Sequence, residues 1–166
     1  MNYSILIICL SLFTLNLRAE ERTSKALIHQ IAKECEVPEI VLEAVCSVES
    51  NFRCNVLNVG GKSISFESKD LAVKFLKKLI QHGVTNVDVG CMQINVRWHG
   101  NNIQSPEQLF DEKTALRYGA KLLKTLSLEK GGWLQGILFY HSGEPNAQKR
   151  YLEKIKRALV TQTENT

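Results

Sequence analysis

Glu49 sits in the stretch Pro38-Glu-Ile-Val-Leu-Glu-Ala-Val-Cys-Ser-Val-Glu-Ser-Asn-Phe52. Val41, Leu42, Val45, Val48 and Phe52 recur at helical spacing and mark a buried face. Leu42 and Val45 lie seven and four residues before Glu49, on the same stripe. A carboxylate carried on an apolar face loses hydration, which disfavours its charged form and raises its pKa. A carboxylic acid that keeps its proton near neutral pH can give it to a leaving group. The plainer alternative is a glutamate at the rim of the core, half exposed or paired with Arg or Lys.

Two later segments carry further polar chemistry. One is Val89-Gly-Cys-Met-Gln-Ile-Asn95, and the other is Phe139-Tyr-His-Ser-Gly143. With Val48-Glu-Ser-Asn-Phe52, and in this order, they resemble the lytic transglycosylases, lysozyme-like enzymes that cut bacterial peptidoglycan. That family's pattern is Glu-Ser near a helix end, a Gly-Leu-Met-Gln turn, then Ala-Tyr-Asn-x-Gly. The resemblance spans about Ala26 to Ile155. Cys91 stands where the family usually has Leu, and His141-Ser142 where Asn-Ala commonly follows the Tyr. The stretch from Cys54 to Val89 is longer than in the shortest members. Size and the Asp88–Asn95 segment are most similar to small exported members that accompany secretion systems, conjugation machines and pili.

The resemblance implies a mainly α, lysozyme-like α+β fold and a single catalytic acid and base, Glu49. Glu49 would protonate the glycosidic oxygen between N-acetylmuramic acid and N-acetylglucosamine. It would then take the proton of the muramic C6 hydroxyl as that oxygen closes a 1,6-anhydro ring. Hydrolytic glycosidases use two carboxyls instead. Asp88 is the nearest candidate for a second one, or else a turn residue bonding the local backbone.

The same resemblance makes substrate contacts of Ser50, Gly90, Met92, Gln93, Asn95, Tyr140 and His141. Ser50 would orient the carboxyl or the sugar, or simply bond its own helix. Gly90 would let substrate approach the backbone closely. Met92 would form a soft wall for a sugar ring, or fill the core. Gln93 would bond an N-acetyl group, and Asn95 would do so or cap a turn. The Tyr140 hydroxyl would reach Glu49 and tune it. Trp98 and Trp133 can stack on saccharide, although burial is the commoner fate of an aromatic.

The elements that must position these residues follow from periodicity and punctuation. Thr23 or Ser24 caps a helix to about Cys35, with Leu27, Ile28, Ile31 and Ala32 inward. Pro38 suits the first turn of the Glu49 helix. Residues 55–66 alternate around Gly60-Gly61 and predict a hairpin or irregular β loop. Ser68 caps a third helix to about His82, with Leu71, Phe75, Leu76 and Leu79 inward; Gly83 ends it. Residues 86–95 form a turn-rich link, and Ser105-Pro106 opens a short helical turn. Asp111 caps a long helix to about Leu128, broken by Gly131-Gly132. Residues 133–140 predict a buried helix. Asn146 caps the last one, with Tyr151, Ile155, Ala158 and Leu159 inward.

The chain has 166 residues and a net charge of +4, and its composition is that of one ordinary globular domain. Ile5 to Leu15 is apolar and Asn-Leu-Arg-Ala19 follows, which predicts a secretory signal over residues 1–19 and a mature domain over 20–166. The apolar run is short for a membrane span, so no stable membrane insertion is expected after cleavage, and the location is periplasm or cell wall. Cys35, Cys46, Cys54 and Cys91 then remain, an even number in an exported chain, which favours disulfides with three possible pairings. No Cys-x-x-Cys and no histidine at ligand spacing argue for zinc. The basic C-terminal residues Lys149, Arg150, Lys154, Lys156 and Arg157 form a solvated face, or attract an anionic surface. No basic patch interleaved with aromatics predicts nucleic-acid binding. No cofactor fingerprint, phosphate loop or nucleophilic triad occurs, so none is expected.

Overall fold

The structure is a computed structural model that describes residues 25–164. The predicted signal and the predicted caps Thr23 and Ser24 lie outside the described residues. The first helix, α1, covers residues 25–35 and buries Ile28, Ile31, Ala32 and Cys35. The chain turns through Glu36 (φ 56°) and enters α2 (Glu39–Ser50). Pro38 sits one residue before the helix rather than inside its first turn. Its fixed φ presets the entry, and its missing N–H is one the helix end would leave unbonded. Val41, Leu42, Ala44, Val45 and Cys46 go into the core. Asn51 ends α2 in the left-handed region (φ 53°), where its N–H bonds Ser47 O at 2.8 Å.

The predicted hairpin forms as β1 (Val56–Val59) and β2 (Lys62–Ser65) around Gly60-Gly61. Asn58 Oδ1 accepts the Gly61 N–H at 2.9 Å across that turn. Next comes α3 (Lys69–Gln81), capped by Ser68, whose side chain accepts from Leu71 N. Ala72 and Leu76, one turn apart, form its buried stripe. Leu71 falls off that stripe and is exposed rather than inward.

Residues 86–95 correct the expected turn-rich link. They hold β3 (Val87–Val89) and β4 (Ile94–Asn95), which complete an antiparallel sheet of order β2-β1-β3-β4. Strands of three and two residues are too short to show a period of two. β4 pairs with β3, and β3 in turn pairs with β1, which is remote in sequence, across the whole of α3. A short α4 (Val96–His99) follows, its N-terminus capped by the Asn95 side chain bonding Arg97 N.

The chain then passes two 3₁₀ turns. The second, Pro106–Phe110, buries Leu109 and Phe110 and has its proline at the predicted place. Asp111 caps α5 (Glu112–Lys130) by accepting from Thr114 N. α5 is the central helix and buries Ala115, Leu116, Ala120 and Leu123. Against it lies α6 (Trp133–His141), of which only Gly136 and Ile137 are fully buried. A helix apolar all round was expected inside, but Leu134 and Phe139 face outward, and Lys130 Nζ lies 4.7 Å from the Phe139 ring centre. The last helix, α7 (Pro145–Glu164), is capped by Glu144 rather than Asn146. The Glu144 carboxylate accepts the N–H groups of Asn146 and Ala147, where the helix dipole favours negative charge. Tyr151 and Ile155 of α7 are buried against the rest. Among the described residues no helix is long and apolar enough to cross a membrane.

Candidate active site

The last turn of α2, the β3–β4 sheet edge, α4 and the facing ends of α6 and α7 enclose a cleft of about 530 Å³. Glu49 lines it from the helical wall, with Val48 beside it. Its side chain is 13% exposed. Burial is the main cause that pushes its pKa up, to about 7, and the charge of Asp88 adds to the rise. The Tyr151 hydroxyl works the other way, donating to Glu49 Oε1 at 2.7 Å and favouring the charged form; Lys154 acts in the same sense. The carboxyl is therefore poised to hold or release a proton near neutrality.

His141 extends this group. Its ring stacks flat on Tyr151, with centroids 4.2 Å apart and planes 2° apart, and its Nδ1 lies 4.0 Å from Glu49 Oε1. Burial, together with Lys154 and Arg150, lowers its pKa. Tyr140 also lines the cleft, but its hydroxyl donates to Met92 O at 2.7 Å rather than to Glu49. Tyr151 takes the tuning position expected for Tyr140. The signal for it was available: an inward-facing tyrosine needs a partner for its hydroxyl.

Gln93, Asn95 and Asp88 lie on the sheet side of the cleft. Gln93 holds a positive φ of 45°, and its Nε2 donates to Gly90 O at 2.8 Å, which fixes the turn. Asn95 Nδ2 donates to Asp88 Oδ1 at 2.7 Å and to Asn86 Oδ1 at 3.0 Å. Asn95 therefore both caps α4 and lines the cleft. Trp98 is 72% exposed at the cleft rim, not buried.

Ser50, Gly90 and Met92 stand behind the cleft wall rather than on it. The buried Ser50 hydroxyl donates to Cys91 O at 2.8 Å and ties α2 to the β3–β4 turn. Met92 is fully buried against α5, where a Cβ on Gly119 would come within 2.5 Å of its Cε. A Cβ on Gly90 would lie 2.0 Å from Leu109 O, so protein backbone makes the close approach there. Cys46 and Cys54 gather around Cys91 in the same region. The Cys46 thiol lies 3.7 Å from Cys91 O, and hydrogen bonding to Cys91 together with burial pushes the Cys54 thiol far up. Cys35, Cys46, Cys54 and Cys91 are free thiols. Among the described residues no three His, Cys, Asp or Glu side chains are grouped to hold a metal ion.

A helical body with a small antiparallel sheet, and a cleft between them into which a helix end presents one carboxyl near its neutral form, is a lysozyme-like architecture. The chain belongs to the transglycosylase SLT domain family, whose model matches residues 26–159. Comparison with curated proteins and with solved structures found no match. Membership makes the protein a lytic transglycosylase acting on peptidoglycan, and its place of action the cell wall.

Proposed function

We propose that Glu49 is the single general acid and base of this enzyme. Protonated, it gives its proton to the oxygen joining N-acetylmuramic acid to N-acetylglucosamine, and that C–O bond breaks. Ionised, it accepts the C6 hydroxyl proton as O6 bonds to the anomeric carbon, giving a 1,6-anhydro end and restoring the acid. The supporting observation is a carboxyl with a pKa near 7, aimed by Tyr151 into an open cleft. Gln93, Asn95, Tyr140 and His141 contact the glycan from the cleft walls, and Ser50, Gly90 and Met92 hold those walls in place. Trp98 offers an aromatic face on which a sugar ring can stack.

Export through a signal at residues 1–19 belongs to this proposal, as does local opening of the wall for a secretion, conjugation or pilus machine. In an oxidising compartment the grouping of Cys46 and Cys54 around Cys91 makes Cys91 one half of a disulfide, with either of the two as its partner. Asp88 in the same cleft keeps a hydrolytic muramidase as the second reading.

Mass spectrometry of fragments released by the purified chain tests the chemistry. The expected fragments are lighter by one water than hydrolysis products. Free reducing ends in their place would make the enzyme a hydrolase.

Tyr151→Phe gives a finer test. Loss of the hydroxyl removes a bond that favours ionised Glu49, so the Glu49 pKa rises. The high-pH fall in kcat should move upward by about one unit, with kcat down roughly tenfold, for a charge-assisted hydrogen bond worth about 1–2 kcal/mol. A pH profile identical to wild type would detach Tyr151 from Glu49.

A further inference from the structure

Strand register sets three polar residues side by side. Asn58 of β1 pairs with Asp88 of β3, and Asp88 pairs with Asn95 of β4. Directly opposed residues on neighbouring strands share a face of the sheet, and all three line the cleft. Their neighbours in the strands, Val87, Val89 and Ile94, go into the core. The sheet thus lays an Asn-Asp-Asn row along its wall of the cleft, while Glu49 enters from α2.

The two carboxyls stand in different surroundings. Glu49 is largely buried at the end of α2 and has one donor, the Tyr151 hydroxyl. Asp88 is half-buried in a polar row, and Oδ1 accepts the Asn95 amide at 2.7 Å. Its Oδ2 has no protein donor among the described residues. Burial raises the Asp88 pKa, and the Asn95 bond opposes that rise. Two carboxyls whose environments separate their titration are the arrangement that divides proton donation from charge stabilisation.

We propose that Asp88 is a second catalytic residue, an ionised carboxylate that stabilises the positive charge on the sugar ring after Glu49 protonates the bridging oxygen. It rests on the proposed role of Glu49. The bond from the anomeric carbon to the bridging oxygen breaks, and its electron pair goes to that oxygen with the Glu49 proton. The anomeric carbon and ring oxygen carry the positive charge, which Asp88 offsets without forming a bond. O6 then closes on the anomeric carbon, and its proton returns to Glu49. No further reactant is needed. Fixed charge placed where charge develops is commonly the largest electrostatic contribution to a rate. Asn58 and Asn95 flank Asp88 on the sheet, and the Asn95 amide ties its carboxylate to that wall of the cleft.

The pH profile follows. Glu49 must be protonated at the start, so the rate falls above about pH 7. Asp88 must be ionised, so the rate also falls on the acid side. A single Glu49 would give the high-pH fall alone. The other ionisable groups facing the cleft are His99 of α4, Tyr140 and His141 of α6, and Tyr151 and Lys154 of α7. Comparison with Asp88→Asn separates Asp88 from these, because the variant keeps all of them.

The experiment follows anhydro-ended fragments from peptidoglycan between about pH 4 and 9, with sedimentation of the protein on intact peptidoglycan as the binding measure. Asp88→Asn should lower kcat on the order of 100-fold, keep wall binding within about twofold, and lose the acid-side fall. Half or more of wild-type kcat in Asp88→Asn overturns the proposal. If that variant does not fold, Asn95→Ser decides. It keeps an oxygen to cap α4, removes the amide donor to Asp88, and should shift the acid-side fall to higher pH. An unshifted fall overturns the proposal. Wild-type protein that releases no fragments removes the role of Glu49 as well, whereas an active wild type with an unaffected Asp88→Asn removes Asp88 alone.

Discussion

Glu49→Gln releases no wall fragments and, at pH 8, melts at a higher temperature than the wild type. The two effects share one cause. Gln cannot donate a proton, so cleavage should fall by at least roughly 1,000-fold, the upper part of what a positioned acid contributes. Glu49 also has a folded pKa of about 7 against an ordinary value of 4.5. Below pH 4.5 both the folded and unfolded chains carry the proton, and no penalty arises. Between 4.5 and 7 the unfolded chain ionises while the folded one holds its proton, so stability falls as pH rises. Above 7 the loss is complete, about 3 kcal/mol at 1.4 kcal/mol per unit. Gln has the same shape, no charge to desolvate, and an oxygen that still accepts from Tyr151. Melting curves at pH 4 and pH 8 for both proteins measure the difference, which should be near zero at pH 4 and several degrees in favour of the variant at pH 8. A variant less stable than wild type at pH 8 would mean that Glu49 is not held under strain. Retained cleavage would remove it from the chemistry.

That strained carboxyl was legible in the sequence because α2 is long enough for its period to show. Twelve residues give three turns, and the apolar stripe fixes which way Glu49 points. The hairpin was legible from Gly60-Gly61, and α3 and α5 from Ser68 and Asp111. The sheet edge was not. β3 and β4 are defined by what they pair with, and pairing between Leu57 and Val89 is a long-range fact that no local window holds. The same limit hides the row that Asp88 shares with Asn58 and Asn95 across three strands. Motif matching assigned contacts but not depth. It put Ser50, Gly90 and Met92 beside the glycan, whereas Ser50 is buried on Cys91 O, Gly90 is backed by Leu109 and Met92 by α5. It chose Tyr140 as the partner of Glu49, but α6 aims that hydroxyl at Met92 O, while α7 brings Tyr151 across 102 residues of sequence. Trp98 was expected inside as aromatics usually are, but the four-residue helix α4 has no inner face wide enough to bury it.

Gly90→Ala should be the most destabilising single methyl addition among the site residues, and its failure should be structural. Gly90 has φ 76°, which costs a residue with a Cβ about 1–2 kcal/mol. Its N–H donates to Val56 O at 3.0 Å, and its carbonyl accepts from Gln93 N and Nε2, so φ cannot relax without breaking the sheet edge or the turn. The new methyl would lie 2.0 Å from Leu109 O. Backbone cannot swing aside as a side chain can, and Leu109 is itself fully buried. Overpacking adds about 1–3 kcal/mol, for a total of roughly 2–5 kcal/mol, a large fraction of the stability of a domain this size. Gly61→Ala is the control: φ is 81°, but nothing lies within 4 Å, so only the backbone cost applies. Urea unfolding of both variants separates the contributions, with Gly90→Ala lower by at least about 1 kcal/mol. Equal losses, joined to a raised KM in Gly90→Ala alone, would return Gly90 to the role of giving substrate room. A larger stability loss in Gly90→Ala, with Gln93 and Asn95 displaced from the cleft wall, would make Gly90 and its turn a scaffold pressed between β1 and Leu109, and leave contact with glycan to Gln93 and Asn95.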